Sequence, residues 1–212
     1  MRQHRRILFP ILLLAGGALL PRAVADPVVD AARSQVGITT GYDPAYRPLA
    51  YPGGDVPLRT GVCCDVVVRT LRAAHSFDLQ RAVHEDMRDN FRVYPNRWGL
   101  KKPDRNIDHR RVPNLQTYFA RRGWALSTTD TAVSFLPGDI VTWDLGRGLS
   151  HIGVVSDRRS AAGVPLVIHN IGNGAQEEDV LRAWSITGHF RPVLSPASPS
   201  PRVEIRISPD PR

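Results

Sequence analysis

The spacing of apolar residues changes along the chain from a helical pattern to short β-rich runs. Four segments carry apolar side chains at helical spacing, namely residues 28–36, 63–75, 77–90 and 112–122. Four later runs are short, apolar and separated by Gly, Asp and Arg turns, namely residues 140–143, 152–156, 166–169 and 189–194. Helices that precede short, turn-linked strands predict an α+β domain, in which N-terminal helices pack on an antiparallel β-sheet.

The first 25 residues have the pattern of a secretory signal peptide. Basic residues at 2, 5 and 6 precede an apolar run over residues 7–20, and Ala-Val-Ala at 23–25 is a small-x-small cleavage site. The apolar run is shorter than the roughly 20 residues of a transmembrane helix. We therefore expect an exported protein, periplasmic or secreted, without a membrane span after signal cleavage.

Composition predicts one domain and gives no indication of a nucleic-acid partner. The 212 residues include 28 Lys and Arg against 20 Asp and Glu, a formal net charge of +8. Four arginines and no acid leave with the signal peptide, so that 24 basic residues face 20 acidic ones, a charge of +4. That surplus is small and no basic-aromatic motif accompanies it. We expect a domain over residues 26–194 and a Pro-rich tail over residues 195–212. Within this tail, residues 203–207 have the composition of an edge strand. The sequence does not indicate the oligomeric state.

The chain contains only two cysteines, Cys63 and Cys64, and they are adjacent. This excludes a multi-disulfide framework and a four-cysteine zinc site, and a disulfide between neighbours fits poorly in a helix. Cys63 opens a predicted helix, where free amide groups and the helix dipole stabilise a thiolate. On a helical wheel Cys63 lies on the apolar side with Val67, whereas Cys64 lies on the flank. Cys63 is thus the predicted nucleophile, and Cys64 is the alternative.

Two histidines suit the roles that a nucleophilic cysteine requires. A catalytic thiol needs a base that accepts its proton, usually an imidazole, and a third polar group that fixes the tautomer of the imidazole. His151 begins one predicted strand and His169 ends the next. Pairing of these strands would bring the two rings together, and a Cys63, His151 and His169 arrangement requires no metal and no other cofactor.

Four stretches of the chain resemble the NlpC-type papain-like cysteine peptidases and amidases. They are Tyr-Pro-Gly-Gly at 51–54, Thr-Gly-Val-Cys at 60–63, Pro-Gly-Asp-Ile-Val at 137–141, and His-Ile-Gly-Val-Val at 151–155 followed by Val-Ile-His at 167–169. The resemblance implies that Cys63 attacks an amide in peptidoglycan stem peptide or another peptide, with His151 as base and His169 as its orienting partner. It also implies that the Tyr51 hydroxyl supports the oxyanion or the substrate.

The chain also resembles a family of exported bacterial proteins of unknown function that is grouped with these peptidases. The resemblance extends over most of residues 28–192 and is carried by residues 61–63, 106–115, 168–172, 176–179 and 186–189. One departure affects the nucleophile: NlpC-type enzymes usually have Asp before the cysteine and Ser-Gly after it, whereas Val62 and Cys64 flank Cys63 here.

Two other functions are compatible with the sequence. The first is a zinc-dependent amidase that uses His151, His169 and a carboxylate such as Asp144, although the chain lacks a His-Glu-x-x-His motif. The second is a non-catalytic module that binds the cell wall or a partner protein while the cysteine is idle.

Overall fold

The structure, a computed structural model, describes residues 26–129 and 135–194 and has the α+β arrangement that the sequence predicts. The α-helices in this part of the chain are α1 (Pro27–Arg33), α2 (Cys63–His75), α3 (Leu79–Asn90) and α4 (Val112–Arg121). The strands are β1 (Gly41–Tyr42), β2 (Thr60–Gly61), β3 (Ala125–Leu126), β4 (Ile140–Gly146), β5 (Leu149–Arg159), β6 (Pro165–Asn170), β7 (Ala175–Glu178) and β8 (Ser185–Phe190). Among the described residues, six strands form an antiparallel main sheet in the order β3-β8-β4-β5-β6-β7, and the short parallel pair β1 and β2 lies apart from it.

The helix bounds follow from local capping. Helix α2 spans Cys63–His75, as predicted, and ends at Ser76, whose left-handed φ of 53° stops the helix. Helix α3 begins at Leu79, two residues later than predicted, because the carboxylate of Asp78 accepts the backbone N–H of Arg81 as an N-cap. Local hydrogen bonding therefore decides the first turn, which apolar spacing does not define.

The last strand is displaced from the predicted segment. The sequence predicts it over residues 189–194, whereas β8 covers Ser185–Phe190 and pairs with β4. Gly188 lies opposite Thr142, and a Cβ at Gly188 would come within 2.6 Å of the Thr142 hydroxyl, so that only glycine fits there. The less apolar first half of β8 thus owes its place to pairing with β4.

Both faces of the main sheet are covered, which explains why its strands are apolar on both sides. On one face, Ile140, Ile152, Val154 and Ile168 pack against the helices. On the other face, a second cluster consists of Phe135, Val141, Trp143, Val155, Val167 and Leu181. Successive strand residues point to opposite faces, so that His151, which is paired with Trp143, lies on the side of the second cluster.

The polar side of α2 is covered by loops. Asp65 and Arg69, which the wheel places opposite the apolar side, are only 3% and 7% exposed. Arg69 forms an ion pair with Asp55, and Asp65 forms one with Arg110 of a short 3-10 turn, Asp108–Arg110. The loops before α2 and α4 therefore surround the helix that carries the cysteines.

The predicted signal peptide (1–25), the Pro-rich tail (195–212) and the edge strand expected over 203–207 lie outside the described residues. Within residues 26–129 and 135–194, none of the helices has both the length and the apolar character that crossing a bilayer requires.

Candidate active site

Cys63 is the first residue of α2 and lies at the edge of a cleft. The preceding residue, Val62, is extended, and its N–H donates a 2.6 Å hydrogen bond to Oδ2 of Asp65, which holds the first turn. A Cβ at Gly61 would lie 3.1 Å from this carboxylate, so that a side chain there would push Asp65 aside. The Gly-Val-Cys sequence thus lets the chain turn tightly into the helix with the thiol at its N-terminus.

The imidazoles of His151 and His169 lie side by side on the adjacent strands β5 and β6. Nε2 of His151 is 2.8 Å from Nδ1 of His169, and the ring planes cross at 78°. Gly153 makes this possible, because a Cβ there would lie 3.1 Å from Cβ of His169 and 2.6 Å from Val167. The glycine in His-Ile-Gly therefore provides the space in which the second histidine packs.

His151 also interacts with Cys63, and this interaction helps to distinguish the two cysteines. The pKa of the Cys63 thiol is lowered by a hydrogen bond from Cys64, against the opposing effect of burial, and further by His151 and the N–H of Ile152. Burial and the neighbouring Cys63 raise the pKa of Cys64. The opposite directions of the two pKa shifts thus favour Cys63 as the thiolate and Cys64 as the protonated neighbour.

His169 is a neutral partner for His151. Burial, together with the charge of His151, lowers the pKa of His169 to about 4. Glu178 Oε2 lies 3.0 Å from Nε2 of His169 without hydrogen-bond geometry, so that within the described residues this nitrogen has no hydrogen-bond partner. With its Nδ1 as acceptor, His169 can receive the Nε2–H of His151, which leaves Nδ1 of His151 for the cysteine.

Aromatic rings and an amide hold the two histidines in place. Trp143 stacks on His151 at 5.5 Å, and the half-buried Trp184 contacts both imidazoles edge-on. Asn170, next to His169, donates from Nδ2 to the carbonyl oxygens of Gly41 and Gly61. The end of β6 is thereby tied to the turn that precedes Cys63.

The cleft in front of Cys63 has a volume of about 390 Å³. Its ionisable wall residues include Tyr42, Arg110 and Arg111 but no carboxylate, and Trp98 and Leu149 supply apolar surface. Burial, followed by the charges of the two cysteines, raises the pKa of Tyr42, which therefore stays a neutral phenol. The cleft is open, positively charged and partly aromatic.

Tyr51, the tyrosine that the sequence comparison suggested, is not among the residues that line this cleft. Its ring packs edge-on against His84 at 5.2 Å and under Arg105 at 5.6 Å. The structure brings Tyr42, not Tyr51, to the wall that contains Cys63. Tyr42 ends the two-residue strand β1 in a segment rich in Gly and Pro, where no sequence pattern pointed to it.

A buried ion pair lies beside the cysteines and was not predicted. Arg110 makes two 2.9 Å hydrogen bonds to the carboxylate of Asp65, and both side chains are almost completely buried. Arg110 also donates to the carbonyl oxygens of Asp43 and Ala45. It therefore joins the loop that contains Tyr42 to the first turn of α2.

The ligand set of a zinc amidase is not brought together. Asp144 is exposed and paired with Ser150, so that it points to the sheet face opposite the one shared by Trp143 and His151. Within the part of the chain that the structure describes, no group of three or more His, Cys, Asp or Glu side chains is arranged to hold a metal ion.

Comparisons with known proteins place the chain in a family. The model described as "Domain of unknown function (DUF1287)" matches residues 29–192, which include both cysteines and both histidines of the site. "Uncharacterized protein YijF" of Escherichia coli (strain K12) is 58% identical over 164 residues, which cover 77% of this chain and 80% of that protein. No solved structure matches the chain significantly. The chain therefore belongs to the DUF1287 family.

Proposed function

We propose that the protein is an exported thiol hydrolase of the NlpC-type papain-like kind, which cleaves an amide bond in peptidoglycan stem peptides. The observation that supports this most is the chain of interacting groups from Cys63 through His151 to His169 at an open cleft. The signal-peptide pattern of residues 1–25 supports export, and the helix-borne cysteine next to strand-borne histidines supports the papain-like assignment.

In the first half of the reaction, the Cys63 thiolate attacks the amide carbonyl carbon. The new C–S bond forms a tetrahedral intermediate whose negative charge rests on the former carbonyl oxygen. The backbone N–H groups of Cys63 and Cys64 belong to the first turn of α2, where no intrahelical carbonyl accepts them, and they can bind this oxygen. Nδ1–H of His151 gives its proton to the leaving nitrogen, the C–N bond breaks, and a thioester remains.

In the second half, water hydrolyses the thioester. His151, now neutral, takes a proton from the attacking water, and the C–S bond breaks to release the Cys63 thiolate and a carboxylic acid, which loses its proton to solvent. The Nε2–H of His151 stays hydrogen-bonded to Nδ1 of His169 throughout, so that Nδ1 of His151 faces the reacting atoms in both steps. Arg110 is already paired with Asp65, so that Arg111 is the cleft residue whose positive charge favours the anionic product and an anionic substrate.

The test compares the mature protein with its Cys63→Ala and Cys64→Ala variants on purified sacculi, and mass spectrometry identifies the released fragments. We expect new amide-cleavage products from the wild type, none above background from Cys63→Ala, and products of the same mass from Cys64→Ala. Iodoacetamide should block release, and EDTA should not. Cys64→Ala is the matched control because it removes the same group one residue away.

Three outcomes would count against the proposal. Loss of activity with EDTA alone would favour a metal-dependent amidase. Loss only in Cys64→Ala would move the nucleophile to the neighbouring cysteine. Absence of turnover, with Cys63→Ala binding sacculi as well as the wild type, would identify a non-catalytic wall-binding module.

A further inference from the structure

A second cavity adjoins the cysteine cleft. It has a volume of about 340 Å³ and shares Trp98 and Arg111 with the cleft, so that the two lie side by side. We call it the Trp98 cavity. Its wall is built from the end of α3 and from the residues that lead to α4, and it contains no residue of the Cys63, His151 and His169 arrangement.

The walls of the Trp98 cavity are apolar on one side and positively charged on the other. Met87, Phe91 and Tyr94 form an apolar surface that suits aliphatic groups. Three basic residues, Arg92, Lys101 and Arg111, face a single carboxylate, that of Asp108.

Asp108 balances only part of this charge. Its carboxylate accepts the backbone N–H of Asp104 and one hydrogen bond from Arg111, and it is 1% exposed. Burial raises the pKa of Asp108 to about 6, so that the carboxylate is still mostly ionised at neutral pH, but it is one negative charge against three positive ones. The cavity therefore has positive charge that an anionic ligand can compensate.

Arg111 has hydrogen-bonding capacity that the protein does not use. Its guanidinium lies 4.1 Å from the ring centre of Trp98, and its side chain is only 17% exposed. Within the described residues, its guanidinium makes one hydrogen bond, of 3.3 Å, to Asp108. A guanidinium has five N–H donors in a planar fork that matches a carboxylate.

Asn114 supplies a second unsatisfied group in the same wall. Its Nδ2 donates to the carbonyl oxygen of Asp108, which fixes the orientation of the amide. Its Oδ1 is buried and has no hydrogen-bond partner in the described part of the chain. A buried acceptor without a partner is costly, and a ligand N–H would satisfy it.

We propose that the Trp98 cavity binds a carboxylate-bearing amino-acid residue of the peptide substrate, with its carboxylate on Arg111 and its amide N–H on Oδ1 of Asn114. An amide N–H and a carboxylate separated by one carbon occur together in the terminal residue of a peptide. The inference rests on the proposed function, because it requires the rest of the peptide to extend past Trp98 and Arg111 toward Cys63.

The test measures binding without turnover, by isothermal titration calorimetry on the Cys63→Ala protein. The two probes are acetyl-alanyl-alanine with a free carboxylate and the same dipeptide as a C-terminal amide. We expect the carboxylate form to bind about tenfold more tightly, since it replaces a neutral hydrogen bond by a charge-assisted pair. Arg111→Gln should remove this preference, and Arg111→Lys should keep part of it. Arg88→Gln is the matched control, since Arg88 is exposed and pairs with Asp89.

Equal binding of the two dipeptides, binding of neither, or an unchanged preference in Arg111→Gln would overturn the inference. Circular dichroism verifies that each variant is folded, and Asn114→Leu provides a second test, because loss of Oδ1 should weaken both dipeptides equally. If Cys63→Ala prefers the carboxylate but the wild type releases no fragment from sacculi, the cavity stands and the proposed function fails. If the wild type releases fragments from sacculi but Cys63→Ala shows no preference for the carboxylate, the proposed function stands and the inference about the Trp98 cavity fails.

Discussion

Two buried histidine clusters lie in the same sheet and differ in how completely their ring nitrogens are bonded. In the first, Nε2 of His189 lies 2.7 Å from Oδ2 of Asp139, and Nδ1 lies 3.1 Å from the carbonyl oxygen of Ser127. In the second, His151 and His169 bond each other, and in the described part of the chain Nε2 of His169 has no hydrogen-bond partner, although Glu178 Oε2 lies 3.0 Å away. The first cluster is complete within the protein, and the second is not.

The difference separates a structural histidine from a candidate catalytic one. Both ring nitrogens of His189 face acceptors, its ring stacks on Phe135 at 4.1 Å, and Arg191 also bonds the carboxylate of Asp139. Although burial raises the pKa of Asp139, the hydrogen bonds from His189 and Arg191 hold it below its usual value. His151 instead bonds His169 through Nε2 and lowers the pKa of Cys63, which lines the cleft. An incompletely bonded pair next to a cysteine of lowered pKa, rather than burial alone, makes the second cluster the candidate site.

The sharpest test of the comparison is His151→Ala. Loss of the base should lower fragment release from sacculi about 10³-fold or more, because the Cys63 thiol loses the group that accepts its proton and that later protonates the leaving nitrogen. Alkylation of Cys63 by iodoacetamide should also slow. His75→Ala, which removes a histidine from the far end of α2, serves as the control. Unchanged alkylation and turnover in His151→Ala would show that the cluster is structural.

Asp139→Ala tests the other cluster. It should lower the free energy of unfolding by about 3 kcal/mol, because the buried Nε2 of His189 loses its hydrogen-bond partner and the side chain of Arg191 loses the same carboxylate. Urea denaturation measures the change, and fragment release per folded molecule should stay within about twofold of the wild type. A large drop in turnover of fully folded Asp139→Ala would mean that the clusters are not separate in function.

His169→Ala should have an intermediate effect. We expect about a 10- to 100-fold fall in turnover, smaller than for His151→Ala, since His169 positions the base and does not contact the reacting atoms. His169→Asn, which keeps a hydrogen-bonding group, should restore part of the activity. A purely structural role would predict no such rescue and no change in the pH profile.

The smallest predicted effect concerns His109, which is 2% exposed. Burial lowers its pKa to about 4, whereas the ordinary value in the unfolded chain is 6.5. The unfolded state therefore binds more protons between these values, and stability falls as the pH falls through this window. In His109→Gln the loss of unfolding free energy from pH 6.5 to 4.5 should be about 1–2 kcal/mol smaller than in the wild type. Equal losses in urea titrations of both proteins would refute this.

Sequence periodicity predicted the elements that carry the candidate site but not the loops around it. The helix at Cys63 and the strands that bear His151 and His169 are present because apolar spacing and β-branched runs are local signals. Arg110 lies 45 residues from Asp65 in the chain, and nothing in the charged run at 108–111 showed that it is buried. Tyr42 and Trp98 reach the cleft from irregular segments for the same reason.

The family resemblance had a similar limit. It suggested Tyr51 near the cysteine, whereas Tyr42 lines the cleft, since the position of a loop side chain depends on the path of the whole loop. His109, in the 3-10 turn, is buried, and within the described residues its Nδ1 has no hydrogen-bond partner; no local pattern distinguishes this histidine from an exposed one.

The sequence by itself determined the order of helices and strands, the absence of a disulfide framework, and a cysteine at a helix start followed by two strand histidines. These are properties of local spacing and of chemistry that each residue carries alone. Only the tertiary structure decided which histidine pair is incomplete, which tyrosine and arginines line the cleft, and that a second cavity adjoins it. Those properties depend on hydrogen-bond partners and burial contributed by segments far apart in the chain, which a linear pattern does not encode.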